Sequence, residues 1–295
     1  MFPARFDYVA PGSVAEAVET LRCLNGDAKV LAGGQSLIPL MKLRMATPSH
    51  VVDIGRIGEL GGLRVDSDGR LVVGALVCQY ELERSALVRR GWPVVAQASA
   101  VVADPLVRAR ATIGGNLAHA DPANDQPAVM LALDAELVVS GPDGERVVPV
   151  GQFFTGMFET SLADDELVTA IRLPAPAADA ACVYVKKERQ AGDFAIAGAA
   201  AWVRVEGRVI AEARVGLTNA GPMPERALAL EDRLVGEPAD PATAERIGGT
   251  VARDVSPSGS IRGSAAYRRQ MVRIAVEEAL AGAVVRARGA RGGTG

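Results

Sequence analysis

The chain has 295 residues, of which 49% are hydrophobic and 23% charged, a balance typical of a globular protein. Its formal net charge of −3 argues against nucleic acid or an anionic membrane as the main partner. Three scattered cysteines and two histidines offer no ligands at metal-binding spacing, so we expect no metal site in this chain. We expect a cytoplasmic protein, because the N-terminus lacks an apolar signal region and no apolar run is long enough to cross a membrane.

The first predicted element is a helix that begins at a capping box. Ser13 and Glu16 are spaced so that hydroxyl and carboxylate satisfy free amides, and the helix runs to about Leu24. Further along, Asp68-Gly69 and Pro142-Asp143-Gly144 each separate two apolar segments and predict hairpins. The strands predicted in this part are 28–32, 51–54, 63–65, 71–73, 137–139, 146–148 and 167–173, and the further helices are 80–88, 92–102 and 125–133.

A proline- and alanine-rich stretch, residues 174–181, is the clearest linker in the sequence, and we place a domain boundary there. Beyond it the pattern predicts three antiparallel strands and then three helices, an order that favours an α+β fold. The predicted strands are 183–187, 197–205 and 209–217, and the predicted helices are 224–234, 241–255 and 265–285. We expect the polar, glycine-rich tail, residues 288–295, to be disordered.

A glycine motif, Ala32-Gly33-Gly34-Gln35-Ser36, follows the strand predicted at 28–32. Its glycines permit positive φ and let a ligand approach the main chain, and successive amides there can form a nest for an anion. Gln35 and Ser36 add side-chain donors. The following segment, 37–45, is able to begin a helix whose positive end faces a phosphate. The alternative is an ordinary strand-to-helix turn.

A second motif, Thr112-Ile113-Gly114-Gly115-Asn116, again combines two glycines with small polar donors. It precedes an apolar helix whose expected cap is Asp125. A buried glycine turn with a helix cap is the alternative. Two such loops about 80 residues apart suit a ligand with two linked phosphates. Neither loop has the spacing of a Rossmann site or a P-loop, and the spacing does not say which dinucleotide is bound.

Both motifs, with their flanking segments 39–44 and 120–125, closely resemble the FAD-binding medium subunit of the xanthine dehydrogenase and aerobic carbon monoxide dehydrogenase family. The resemblance covers nearly the whole chain, including Phe6-Asp7-Tyr8 and Gly192-Asp193-Phe194-Ala195. One departure is Gln35, where carbon monoxide dehydrogenase subunits often carry His, which argues against a carbon monoxide substrate.

The resemblance implies an α+β fold with an N-terminal FAD-binding domain of the vanillyl-alcohol-oxidase (PCMH) type, residues 1–175. Its two α+β subdomains would span about 1–55 and 56–175. A C-terminal carbon monoxide dehydrogenase flavoprotein-like domain, residues 180–287, would contain a three-stranded antiparallel sheet and helices.

The resemblance also assigns cofactor contacts. Asp125 would reach the adenosine end of FAD, unless it only caps its helix. Lys186 would lie near the flavin ring, with Lys187 as the alternative, and Val168 would contact the ring system. Phe194 would lie near one flavin face, unless it belongs to the core. The complete set of implied FAD contacts is Ala32, Gly33, Gly34, Gln35, Ser36 and Leu37, then Val102, Thr112, Ile113, Gly114, Gly115 and Asn116, and finally Asp125, Val168, Lys186 and Phe194.

The function implied is that of the flavin subunit of a molybdenum hydroxylase. A large partner subunit would carry the molybdenum cofactor, and a small one two [2Fe–2S] clusters, usually in a dimer of heterotrimers. This chain would bind FAD and pass electrons from the clusters to NAD, oxygen or a quinone, with no catalytic residue of its own. The alternatives are a stand-alone FAD-dependent reductase of the same superfold, for which no substrate acid stands out, and a non-catalytic scaffold subunit, against which the intact glycines argue.

Overall fold

The computed structural model of the chain describes residues 2–291. The helices are α1 (Val14–Leu24), α2 (Leu37–Lys42), α3 (Gln79–Arg84), α4 (Ala86–Gly91), α5 (Pro93–Ala100), α6 (Pro105–Arg108), α7 (Ile113–His119), α8 (Gln126–Ala132), α9 (Leu228–Leu234), α10 (Pro241–Gly248) and α11 (Ala265–Arg291). The strands are β1 (Asp7–Val9), β2 (Ala28–Leu31), β3 (His50–Asp53), β4 (Leu63–Val65), β5 (Leu71–Gly74), β6 (Glu136–Gly141), β7 (Gly144–Pro149), β8 (Phe154–Gly156), β9 (Glu159–Thr160), β10 (Leu167–Leu173), β11 (Ala180–Lys187), β12 (Ala197–Glu206), β13 (Val209–Thr218) and β14 (Glu225–Arg226).

The first part of the chain forms a parallel sheet in the order β1-β3-β2, against which α1 packs. The capping box predicted for α1 is confirmed: Ser13 Oγ accepts from the Glu16 amide at 3.2 Å, and the Glu16 carboxylate accepts from the Gly12 amide at 2.7 Å. Leu21 and Val52 are among the side chains of the small core between helix and sheet. The capping residues Ser13 and Glu16 therefore predicted the start of this helix correctly.

The second part is an antiparallel sheet in the order β4-β5-β10-β6-β7. Both predicted hairpins are confirmed, and Gly69 and Gly144 hold positive φ in their turns. The helix predicted at 80–88 is instead two helices, because Ser85 ends α3 and its hydroxyl caps α4 by accepting from the Val88 amide at 3.3 Å. The sequence did not predict α6 or the β8–β9 hairpin.

The C-terminal sheet has the order β11-β12-β13-β14. Its three long strands are those predicted, and the two-residue β14 extends the sheet inside a segment predicted as helix, so that α9 begins only at Leu228. The long helix α11 covers one face of this sheet through small, fully buried residues such as Ala275, Ala279 and Ala283. It continues to Arg291, so residues 288–291 of the expected disordered tail are helical, and residues 292–295 lie outside the described part.

The other face of the C-terminal sheet packs directly on α8 of the preceding sheet region. Contact is so close that a Cβ built on Gly216 would lie 2.0 Å from the carbonyl oxygen of Ala128. Tyr184 and Ala200 of the C-terminal sheet accordingly belong to the same apolar core as the second sheet. Over residues 2–291, no helix combines the length and apolarity needed to cross a bilayer.

Candidate cofactor site

The two glycine motifs lie against each other. A Cβ on Gly33 would be 2.0 Å from the carbonyl oxygen of Arg110, two residues before the second motif. A Cβ on Gly115 would be 3.8 Å from Cβ of Ala32 in the first motif. The structure therefore brings together two segments far apart in sequence, which a ligand held between both loops requires.

The first motif is an open turn between β2 and α2. None of the five consecutive amides from Gly33 to Leu37 donates to a main-chain carbonyl of the described residues, and pairing resumes with the Ile38 amide on the Gly34 carbonyl at 3.2 Å. Gly34 holds φ +74°, as expected for a nest. The Gln35 side chain turns back, and its Nε2 donates to the Gly33 carbonyl at 3.2 Å. This side-chain amide is therefore engaged within the turn itself. What the turn offers a ligand is mainly its backbone N–H groups.

The second motif is the first turn of α7 rather than a loop. Thr112 is the N-cap, with Oγ1 accepting from the Gly115 amide at 3.2 Å. The Ile113 and Gly114 amides donate to carbonyls of Val77 and Ala75. A Cβ on Gly114 would lie 2.6 Å from Cβ of Ala75, so that glycine permits packing, as the buried-turn alternative proposed.

Asn116 is the part of the second motif that remains available to a ligand. Its side-chain Oδ1 is buried and has no hydrogen-bond partner among residues 2–291. Its backbone carbonyl accepts from Asn124 Nδ2 at 3.0 Å, which ties α7 to the residue before Asp125. A buried acceptor without a partner is costly, so this oxygen points to a hydrogen-bond donor that the chain itself does not supply. The five backbone amides of the first motif form a donor set, without carboxylates, that fits the diphosphate of FAD.

Asp125 is 5% exposed and both of its carboxylate oxygens are engaged. Oδ1 accepts from Tyr184 Oη at 2.6 Å and Oδ2 from Lys186 Nζ at 3.1 Å. Burial raises the pKa of Asp125 to about 6, against the opposing effects of the Lys186 ammonium and the Tyr184 hydroxyl. Although Asp125 precedes α8, its side chain caps nothing, so the capping alternative is wrong.

Lys186 is the inward-facing lysine of the pair. Its side chain is 4% exposed and also donates to the Val101 carbonyl at 2.8 Å, while Glu188 Oε2 lies 3.3 Å from Nζ. Lys187 points to the opposite face of the strand and pairs with Glu278 of α11 at 2.6 Å. Asp125 and Lys186 touch, which favours one end of the cofactor for both side chains. The expectation that Asp125 reaches the adenosine end while Lys186 lies at the flavin stays a prediction.

The remaining predicted contacts differ in their surroundings. Val102 is buried next to Val101, whereas the Val168 side chain lies in the apolar core. Phe194 is 50% exposed, so the alternative that it belongs to the core is wrong. Gly192 of the same loop has φ +85°, and its Cβ would lie 3.4 Å from the main chain of Ala103. The loop that carries Phe194 thus rests on the segment that also contributes Val102.

Sequence reasoning missed Tyr184. Its hydroxyl donates to Asp125, and Thr218 Oγ1 lies 3.4 Å away. A signal was present, because Tyr184 and Lys186 are two apart on β11 and side chains at that spacing face the same side. A Cβ on Gly198 would lie 2.7 Å from the Tyr184 hydroxyl, so the neighbouring strand makes room for it.

Comparison with known proteins agrees with this architecture. Residues 4–176 match the family model of the FAD binding domain in molybdopterin dehydrogenase, and residues 183–283 match the CO dehydrogenase flavoprotein C-terminal domain. The carbon monoxide dehydrogenase medium chain of Hydrogenophaga pseudoflava is 41% identical over 95% of this chain and 97% of its own length. In the solved structure of that organism's carbon monoxide dehydrogenase, one chain superposes with a TM-score of 0.93, covering 97% of this chain and 99% of that one. A chain of quinoline 2-oxidoreductase from Pseudomonas putida 86 is 31% identical, with a TM-score of 0.91 over 97% of this chain and 99% of that one.

The fold and the matching family models thus define an FAD-binding subunit of an oxidoreductase complex. The chain belongs to the family of FAD-binding medium subunits of the carbon monoxide dehydrogenase and xanthine dehydrogenase type, the medium chains of molybdenum-dependent oxidoreductase complexes. The predicted fold class and family are confirmed, and medium chains of this type have large and small partner subunits.

Proposed function

We propose that this chain holds FAD with its diphosphate between the turn at Gly33–Leu37 and the start of α7. The observation that carries the proposal is the run of five amides without main-chain acceptors, in a turn that lies against the start of α7. Oriented N–H groups stabilise phosphate oxygens, and no carboxylate belongs to either motif to repel them. Gly115 keeps the space between the two motifs clear of side chains.

The flavin end of the cofactor then belongs near the buried pair of Asp125 and Lys186. Both lie beside Val102 and the loop of Phe194, which form one continuous region with the segment leading to Thr112. Arg108 supports this segment by donating to the carbonyls of Val102 and Ala103 at 3.1 and 3.0 Å. In this arrangement Asp125 lies on the flavin side of the site rather than the adenosine side, and its buried pair with Lys186 forms a fixed polar wall beside the cofactor.

We further propose that the chain relays electrons from [2Fe–2S] clusters of a small subunit to an external acceptor, in a complex whose large subunit carries the molybdenum cofactor. FAD supplies the redox chemistry when bound, and the residues of this chain bind it, orient it and set its surroundings. The buried Asp125, Tyr184 and Lys186 have polar partners within the chain, which suits a fixed binding wall. A dimer of heterotrimers in the cytoplasm is the expected assembly.

The test of cofactor binding is a visible absorption spectrum of the purified chain after addition of FAD and removal of the excess. We expect a flavin band, and its absence would reject the proposal in favour of a scaffold subunit. The informative variant is Gly115→Ala, whose new Cβ projects between the two motifs and displaces only the Thr112 hydroxyl, 2.8 Å away. Gly151→Ala is the matched control, because a Cβ there meets no atom within 4 Å.

Gly115→Ala is expected to weaken FAD retention strongly while the melting temperature without FAD stays close to that of Gly151→Ala. Undiminished retention would place the diphosphate elsewhere. Electron transfer is tested by adding substrate to the complex assembled with both partner subunits. Reduction of the flavin in the complex but not in the isolated chain supports the relay, whereas turnover by the isolated chain would favour the stand-alone reductase.

A further inference from the structure

The segment Lys42–Met45, which begins at the last residue of α2, presents large apolar side chains to solvent. Leu43 is 60% exposed and Met45 74% exposed, while Met41 just before them is buried and anchors the segment. Apolar residues this exposed, side by side in sequence, are typical of a surface that a partner covers. The cofactor site described above uses none of these side chains, although helix α2 connects the segment to the first turn of that site.

The backbone of this segment is held in one conformation. The Arg44 amide donates to the Met41 carbonyl at 3.0 Å, and the Leu40 carbonyl accepts from the amides of Met45 at 2.9 Å and Ala46 at 3.3 Å. Arg44 has φ +57°, a left-handed conformation that a residue other than glycine adopts at a cost. The apolar side chains are thus displayed by a pre-organised turn, which lowers the entropy lost when a partner binds.

The charge around the segment specifies the chemistry of that partner. From residue 28 to residue 52 the sequence has no Asp or Glu, although the whole chain has a net charge of −3. Lys42 and Arg44 are exposed, and neither has a carboxylate within 4.0 Å among the described residues. A complementary surface has an apolar centre bordered by carboxylates. A second copy of this segment is excluded as occupant, because it would bring like charges together.

The position of the segment, close to the amide turn, indicates which partner of that chemistry binds there. Helix α2 has six residues, a length of about 9 Å, and runs from Leu37 at the end of the amide turn to Lys42 at the start of the segment. A protein bound at Leu43 and Met45 therefore lies next to the cofactor. The subunit that must be closest to the flavin is the one that delivers electrons, because electron transfer slows steeply with distance.

We propose that Lys42–Met45 is a docking site for the small iron–sulfur subunit, with Leu43 and Met45 in an apolar pocket and Lys42 and Arg44 facing carboxylates at its rim. The proposal rests on the relay function described above. Central apolar anchors dominate the affinity of such contacts, whereas charges at the rim mainly govern association rate and salt dependence.

The experiment measures the dissociation constant between the purified chain and the purified small subunit by titration calorimetry at low and moderate salt. The double variant Leu43→Ser/Met45→Ser should weaken binding by about 100-fold, the scale of losing two anchors. The variant Lys42→Glu/Arg44→Glu should weaken binding at low salt and reverse its salt dependence, because salt then screens repulsion between carboxylates. The matched controls are Leu228→Ser, where the leucine is also 60% exposed, and Arg90→Glu on α4, and both should bind like the wild type.

Every variant is also examined for its flavin band and its melting temperature. Wild-type association of the 42–45 variants would overturn the proposal, and so would loss of binding to the large subunit alone. Loss of the flavin band in these variants would assign the segment to the cofactor site and overturn it too. Failure of the wild-type chain to bind FAD would reject the proposed function separately, because association is measured without FAD. Should the double variant not fold, Leu43→Ala alone gives the same ordering with a smaller effect.

Discussion

Replacing Tyr184 by Phe isolates the hydrogen bond that the buried carboxylate of Asp125 receives. The phenylalanine ring fits the same space, because Gly198 and Thr218 leave room only for the hydroxyl. Asp125 retains Lys186 as its partner. The substitution therefore removes one donor at 2.6 Å and leaves the packing unchanged.

The expected magnitude depends on pH, because Asp125 titrates at about 6. Above that pH the hydroxyl donates to a carboxylate, and losing such a bond costs about 2 kcal/mol. Well below it the hydroxyl pairs with a neutral carboxylic acid, and the loss costs about 0.6 kcal/mol. The difference of about 1.4 kcal/mol corresponds to a further rise of about one unit in the pKa of Asp125.

The sign follows from linkage. The pKa of Asp125 is raised above its ordinary value by burial, so the folded state binds this proton more tightly than the unfolded state does. Stability contributed by this group therefore falls as pH rises from about 4 to about 6. In Tyr184→Phe the fall continues to about pH 7, because the pKa is higher still.

The assay is urea unfolding of wild type and Tyr184→Phe without added FAD at several pH values from 4.5 to 8. Tyr8→Phe is the matched control, since Tyr8 also donates to a carboxylate, that of Asp53, at 2.6 Å but at an exposed position. Its effect should be much smaller and independent of pH. A stability loss for Tyr184→Phe that is equal at pH 4.5 and pH 8 would refute the titration of Asp125 in this range.

Three further substitutions test how the fold supports the site. Gly33→Val should abolish cooperative folding, because its Cβ would overlap the Arg110 carbonyl at 2.0 Å, and a normal melting curve would contradict the interlocking of the two motifs. Ser13→Ala should cost about 1 kcal/mol in urea unfolding through loss of the α1 cap, with no effect on the flavin band. Glu231→Ala should cost about 3 kcal/mol, because it leaves the Arg226 guanidinium and a buried amide of β13 without their acceptor; a loss below 1 kcal/mol would show that water replaces the carboxylate.

The parts of the fold that local signals determine were predictable. The α1 cap, the two hairpins and strand β10 lie where turn residues and apolar alternation put them. Helix α7 was not, because Gly114 and Gly115 have poor helix propensity and the helix depends on Thr112 as cap and on pairing with Val77 and Ala75. Contacts with another part of the chain, and not the local sequence, therefore determine that α7 forms here.

The candidate site was likewise predictable in part from the sequence. The sequence motifs identified both glycine segments and Lys186, but not which of their amides are free. The contact between Asp125 and Lys186 joins residues 61 apart, and the sequence gives no register between their elements. For the same reason the part played by Tyr184 became visible only once β11 was placed against the end of the loop before α8.

The main-chain contact between Gly216 and Ala128 bears on how the cofactor is retained. A hinge between the two family domains would need a polar interface able to separate, yet here a strand of one lies on a helix of the other with no side chain between them. The two domains should melt in a single calorimetric transition, and residues 1–176 expressed alone should expose the apolar residues of α8 and aggregate. Any change that loosens α8 should therefore release flavin by unfolding the chain as a whole.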